Sequence, residues 1–227
     1  MTEIESLKAA AAERALELVR PGMVIGLGSG STSALFIAGL GRLVARGVAV
    51  RGVPTSLAAA DQAAAAGIPL QDHVDRPLDL AVDGADEIDP QRNLIKGRGG
   101  AMLREKLVAA AAQRFIVIAD ESKLVPRLGK GVLPVEISSF LWLQTARRLE
   151  RLATRWQRRA EEDRPFVTDN GNFVIDLRIE GGIAEPARLA SALDATLGVL
   201  AHGLFLGMAT ACIIAGPSGC RVLGSLE

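Results

Sequence analysis

Gly28-Ser29-Gly30-Ser31-Thr32 stands between a short apolar run, Met23-Val24-Ile25-Gly26-Leu27, and a stretch of helix formers over residues 34–43. Glycines let the backbone turn tightly and aim N–H groups at an anion, and a helix N-terminus adds partial positive charge. Ser31 and Thr32 add hydroxyl donors. The turn lacks Gly-Lys-Ser/Thr and is not a nucleotide P-loop. A dinucleotide fingerprint starting at Gly26 needs glycine or alanine where Ser31 stands, and the next strand ends in Val53-Pro54 without a ribose-binding acid. A small phosphate monoester fits better. The plain alternative is a tight strand-to-helix turn capped by a hydroxyl.

Asp83-Gly84-Ala85-Asp86 closes another apolar run, with Glu87 and Asp89 adding charge. In open α/β sheets the C-terminal ends of the strands carry the ligand. A solvated turn and a magnesium site are the competing readings. Lys96, close behind, can neutralise the cluster without a metal. Lys96-Gly97-Arg98-Gly99-Gly100 then supplies a cation and a donor-rich turn, and a helix follows with Arg104, Glu105 and Lys106. One carboxylate to shuttle a proton, one ammonium to hold an oxyanion and acids to move hydroxyl protons suit the enolisation of a sugar. A solvated helix face is the competing reading of Glu105. Lys123, after the run Phe115-Ile116-Val117-Ile118-Ala119, is able to reach the same sheet edge, or is an exposed loop lysine. His73 and His202 have no triad partners and read as structural or surface residues.

The elements that must position these groups alternate. Thr2-Glu3-Ile4-Glu5 is a capping box opening a first helix. Strands are expected at residues 23–27, 48–53, 78–82 and 115–119, with helices at 34–43, 57–66 and 101–113 between them. Strands alternating with helices imply a parallel sheet covered on both faces. After Lys130 the pattern changes. Residues 133–137 read as a strand, 140 to about 159 as a long charged helix, and 166–177 as a hairpin around Asn170-Gly171. A helix at 186–193 and a strand at 199–205 complete this part, and a last strand pair surrounds Gly216-Pro217-Ser218-Gly219. The expected fold is α/β: a Rossmann-like parallel-sheet domain, residues 1–130 and 206–227, with a smaller α+β domain, residues 131–205, inserted before the C-terminal strands.

Composition narrows the function. The chain has 227 residues, 49% hydrophobic and 23% charged, in the range of ordinary globular proteins. Lys+Arg and Asp+Glu both number 26, so there is no cationic surplus for nucleic acid. Aromatics are 4% with no tyrosine, which leaves few platforms for stacking bases. Two cysteines without a C-x-x-C, and two distant histidines, argue against a disulfide scaffold or a zinc site. The longest apolar stretch, residues 203–215, is shorter than the roughly 20 residues of a membrane helix. The acidic N-terminus has no secretory pattern, so a cytoplasmic location is expected.

Seven motifs occur in one order: Gly26-Leu27-Gly28-Ser29-Gly30-Ser31-Thr32, Asp83-Gly84-Ala85-Asp86-Glu87, Ile95-Lys96-Gly97-Arg98-Gly99-Gly100-Ala101, Leu103-Arg104-Glu105-Lys106, Ala119-Asp120-Glu121-Ser122-Lys123, Leu133-Pro134-Val135-Glu136 and Val167-Thr168-Asp169-Asn170-Gly171-Asn172. Across nearly its whole length the chain resembles ribose-5-phosphate isomerase type A. The resemblance implies an aldose–ketose isomerase of the non-oxidative pentose phosphate pathway, interconverting D-ribose 5-phosphate and D-ribulose 5-phosphate through a cis-enediolate. It implies Glu105 as the proton-transferring base, with Asp83, Asp86 and Lys96 lining the sugar site. It also implies substrate contacts from Ser29, Gly30, Ser31 and Thr32, from Gly84 and Ala85, from Gly97, Arg98 and Gly99, and from Lys123 and Lys8. No metal or other cofactor is implied, and a homodimer or homotetramer is. The stretch after Thr55-Ser56 is apolar where relatives often carry polar residues, and residues 138–164 match no motif. A sugar-phosphate-sensing effector domain of similar fold is the alternative from another class. It has no need to keep Glu105 and Lys96 together. An amino-sugar phosphate isomerase-deaminase fits the motifs less well.

Overall fold

A computed structural model of the chain describes residues 2–226. Thr2 caps the first helix, α1 (Glu3–Leu16), by the expected box: its hydroxyl accepts the Glu5 N–H and the Glu5 carboxylate accepts the Thr2 N–H. Next come β1 (Val24–Leu27), α2 (Ser31–Ala45), β2 (Arg51–Pro54), α3 (Leu57–Ala65) and β3 (Leu80–Asp83). Two-residue strands β4 (Glu87–Ile88) and β5 (Leu94–Ile95) precede α4 (Met102–Ala111) and β6 (Phe115–Asp120). The chain continues through β7 (Leu133–Ile137), α5 (Trp142–Leu149), β8 (Arg155–Arg158), β9 (Ala160–Glu161), β10 (Arg164–Pro165), β11 (Phe173–Arg178), α6 (Pro186–Asp194), β12 (Val199–His202) and β13 (Leu204–Phe205). The hairpin β14 (Ala211–Gly216) and β15 (Gly219–Gly224) ends it.

Contacts divide the chain into two compact units. The first holds the residues up to Ala85, Leu107–Lys123 and those from Gly207 onward. Its sheet runs β15-β14-β6-β3-β1-β2, parallel throughout except for β15 at the edge. β1, β3 and β6 are buried along their whole length, as strands covered on both faces must be. Ile25, Leu27, Phe36, Leu80, Ile116 and Ile213 build the core. The register pairs Leu27 with both Pro54 and Val82, and Asp83 with Val117. The turns after β1, β2, β3 and β6 therefore open at one edge of the sheet. This is the Rossmann-like arrangement expected from the alternating pattern.

The second unit holds Asp86–Lys106 and Leu124–Leu206. A four-stranded antiparallel sheet, β12-β7-β11-β8, lies beside the three-stranded β13-β5-β4 and the small ribbon β9-β10. Leu133, Val135, Ile137, Ile175 and Leu177 point from the large sheet into a core shared with α5 and α6. Residues 86–106 and 124–130 group here because β5 pairs with β13 and β4 with β5, and because the Val125 N–H bonds the Ile88 carbonyl.

The expected helix over residues 140–159 is a correction. It ends at Leu149, a 3₁₀ turn follows, and Arg155–Arg158 form β8 against β11. Trp156 packs on the core, and the ladder with Ile175, Asp176, Leu177 and Arg178 outweighs local helix preference. The strand expected at 199–205 is broken at Gly203, with β12 joining β7 and β13 joining β5. Among the described residues no helix is long and apolar enough to cross a membrane.

Candidate active site

In the first unit the glycine turn, the end of β3 and Lys8 of α1 form one cluster. Gly30 takes φ +90°, a conformation that disfavours L side chains, and it precedes α2 with no side-chain cap. Helix α2 thus starts at Ser31, three residues earlier than the sequence indicates. Ser31 and Thr32 lie in its first turn and are not its cap. The N–H groups of that turn have no intrahelical partner and face outward from the positive end of a 15-residue helix. Lys8 of α1 donates from Nζ to Ser31 Oγ at 2.9 Å, bringing a cation to the same helix end. This is anion-binding geometry.

Asp83 is buried at the end of β3. Its Oδ1 accepts from the Ser29 N–H at 3.1 Å, the Gly84 N–H at 2.7 Å and the Ser33 hydroxyl at 3.0 Å. Gly28 lets the two turns approach, since a Cβ there would overlap the Asp83 carboxyl. Ser29 Oγ meets both Thr55 Oγ1 and Ser56 Oγ at 2.7 Å, and Ser56 caps α3. Gly84 and Ala85 follow at partial exposure, and Lys123 ends the 3₁₀ turn after β6 on the same sheet edge. Ser33, Thr55 and Ser56 were missed as site residues by the sequence reading. The available signal was a hydroxyl pair at the C-terminal end of a parallel strand.

In the second unit Lys96 and Glu105 form a buried ion pair. Nζ lies 3.4 Å from Oε2, and the side chains are 3% and 7% exposed. Lys96 follows β5, and Glu105 is in the first turn of α4. The Phe205 ring of β13 sits 5.6 Å from Lys96 Nζ and 5.0 Å from Lys106 Nζ. Between Lys96 and α4 runs the Gly97-Arg98-Gly99-Gly100 turn. The Arg98 N–H donates to Asp86 Oδ2 at 3.0 Å, which ties Asp86 to that turn. The Arg98 guanidinium is turned to Glu87 at 2.6 Å.

Two of the acids in the 83–89 run have other work. Glu87 accepts from the N–H groups of Gly129, Lys130 and Gly131 as well as from Arg98, and so fastens a loop. Asp89 accepts from Gln91 N–H, Asn93 N–H and the Asn93 amide, closing the β4–β5 turn. His202 is buried, as a structural histidine would be. Its Nδ1 accepts the Leu204 N–H at 3.2 Å, so Nε2 carries the proton and donates to Asp194 at 3.1 Å. Burial, with help from the Lys106 charge, pushes His202 down to about 4, and burial pushes Lys106 down to about 8.

Comparison with known proteins follows the same lines. Residues 51–219 match the family described as ribose 5-phosphate isomerase A (phosphoriboisomerase A). Ribose-5-phosphate isomerase A of Bradyrhizobium diazoefficiens is 48% identical, covering 97% of this chain and 96% of its own. That of Gloeobacter violaceus is 49% identical, with 97% of each chain covered. Among solved structures, the ribose 5-phosphate isomerase of Plasmodium falciparum superposes with a TM-score of 0.94 at 35% identity, over 98% of this chain and 100% of that one. A D-ribose-5-phosphate isomerase in complex with phospho-erythronic acid gives a TM-score of 0.93 at 38% identity, over 99% of this chain and 100% of that one.

Proposed function

We propose, for a chain that belongs to the ribose 5-phosphate isomerase A family, that Glu105 is the base that moves a proton between C2 and C1 of the substrate. Membership makes the chain an aldose–ketose isomerase acting on ribose 5-phosphate and ribulose 5-phosphate, and disfavours a sensor domain. The observation that carries the mechanism is the buried Lys96–Glu105 pair.

In the open-chain aldose, Glu105 takes the C2 proton. The C–H electron pair becomes the C1=C2 bond, and the carbonyl electrons move to O1, giving a cis-enediolate. A proton then passes from O2 to O1, C2 becomes the carbonyl, and Glu105 returns its proton to C1. Negative charge leaves the carboxylate as it arrives on the enediolate oxygen. A fixed cation such as Lys96 is worth more to that developing oxyanion in the transition state than to the neutral carbonyl of the ground state. Asp83 assists ring opening or carries the proton between the sugar oxygens, and Asp86 holds the turn that follows Lys96. The first turn of α2, with Ser31, Thr32 and Lys8, takes the phosphate, and Lys123 adds a second cation. Phospho-erythronic acid, bound by a similar protein, carries a phosphate at one end and a planar anionic oxygen pair at the other. That charge pattern matches a phosphorylated enediolate and supports the reading.

The reaction proposed uses no metal or other cofactor. Assembly is proposed as a homodimer or homotetramer, supported by the exposed apolar side chains of Phe140, Leu141 and Leu197. A cytoplasmic location is proposed from the scarcity of cysteine. The kinetic test is Glu105→Gln, which keeps the shape and removes the base. A fall in kcat of roughly 10²–10⁴ with KM within a few-fold supports the assignment. Near-normal kcat refutes it.

A further inference from the structure

Glu136 is fully buried in the middle of β7, and no cation pairs with it among the described residues. A carboxylate without a counter-charge is costly to bury unless hydrogen bonds hold it. Here Oε1 accepts three neutral donors: Thr168 Oγ1 at 2.9 Å, Asn170 Nδ2 at 3.0 Å and Asn172 Nδ2 at 2.9 Å. All three come from one tight turn, in which Gly171 takes φ +77° and the Thr168 hydroxyl also accepts the N–H groups of Asn170 and Asn172. The carboxylate thus fixes the turn and both of its amide side chains.

The turn reaches onward to α4. Asn170, held by its Nδ2, presents Oδ1 to Arg104 Nε at 2.9 Å, and the Asp169 carbonyl accepts from Arg104 Nη2 at 3.2 Å. Arg104 directly precedes Glu105. On the sheet, the residues that pair with Glu136 are Val174 and Ala201, and both pack against Met102, the first residue of α4. The first turn of the helix is therefore fastened twice to one patch of sheet, by Met102 and by Arg104. Glu136 is the buried group on which the second fastening rests. A helix fixed at two points cannot rotate about its axis, and the rotation sets where the Glu105 carboxylate stands.

We propose that Glu136 is a positioning residue of the isomerase: through the Thr168–Asn172 turn and Arg104 it sets the orientation of the α4 turn that carries Glu105. The inference rests on Glu105 being the base. It adds a role for the Val167–Asn172 motif, which the substrate-handling groups leave unused.

The test is a kinetic cycle on Asn170→Ala, Arg104→Ala and the double variant, with Glu136→Ala beside them and thermal melts on all. Misplacing a catalytic group by about 1 Å costs on the order of 10²-fold. We expect Asn170→Ala and Arg104→Ala each to lower kcat by roughly 10- to 100-fold with KM within about twofold. The double variant should be no worse than the poorer single, because both break one link. Glu136→Ala, which removes the acceptor, should show the same split, and if it fails to fold, the part-exposed Asn170 and Arg104 still decide the matter. A lower melting temperature with unchanged kcat, or losses that multiply in the double variant, overturns the proposal. Glu105→Gln run alongside separates the two claims. If it retains full activity, the base assignment has failed. If it is inactive while Asn170→Ala turns over normally, only the positioning role has failed.

Discussion

Ser31 and Thr32 show how one helix turn separates two roles that sequence leaves open. As caps, their hydroxyls would satisfy α2's own N–H groups, and removing them would cost about 1 kcal/mol of stability. Gly30 holds the cap position without a side-chain bond, and Ser31 instead meets Lys8. The hydroxyls are therefore available to an anion. Replacing both with alanine should raise KM for ribose 5-phosphate at least tenfold, the loss of about 1.4 kcal/mol of charge-assisted hydrogen bonding. The melting temperature should hardly move. A steady-state titration with a thermal melt decides it: an unchanged KM, or a lower melting temperature in place of a higher KM, removes these residues from the phosphate site.

At the scale of elements, the segment from β3 to β5 divides its acids by task. Asp83 serves the turn after β1, Asp86 the turn after Lys96, Glu87 the 129–131 loop and Asp89 its own β-turn. Each carboxylate faces N–H or O–H donors that a cation would have to displace. Activity should accordingly survive exhaustive chelation. Loss of turnover on chelation, with recovery on adding a divalent ion, would contradict this. The same segment marks where sequence stops being informative. The strand–glycine turn–helix of residues 24–45 and the box at Thr2 and Glu5 are local, so periodicity and capping chemistry reveal them. The pairing of β5 with β13 joins two-residue strands more than 100 residues apart, which carry no period at all. Residues 155–158 read as helix because their arginines look like a solvated face. They form a strand because β11 offers an open edge there. The Lys96–Glu105 contact depends on the intervening glycine turn, and neither helical nor strand spacing reports it.

For the whole molecule, the buried His202 couples folding to pH. Its neutral ring is held between the Leu204 N–H and Asp194, and its folded value of about 4 lies below the ordinary 6.5. Below 6.5 the unfolded chain binds a proton that the folded chain refuses. Stability is therefore intact above pH 6.5 and falls as pH drops from 6.5 through 4. A shift of this size corresponds to roughly 3 kcal/mol over that window. His202→Asn, whose amide oxygen can replace Nδ1 as acceptor, should flatten this part of the curve. Denaturant melts of both proteins at pH 7, 5.5 and 4.5 report the difference. Parallel curves would show that His202 does not carry the acid sensitivity.

The most direct measurement is the fate of deuterium at C2 of ribose 5-phosphate. A single carboxylate that removes the C2 proton and returns it to C1 transfers part of the label and loses the rest to solvent. The wild-type protein should show both, and Glu105→Gln, although it still binds the sugar phosphate, should show neither. If Glu105→Gln releases or transfers the label at a rate near that of the parent, another group is the base and the account is wrong at its centre.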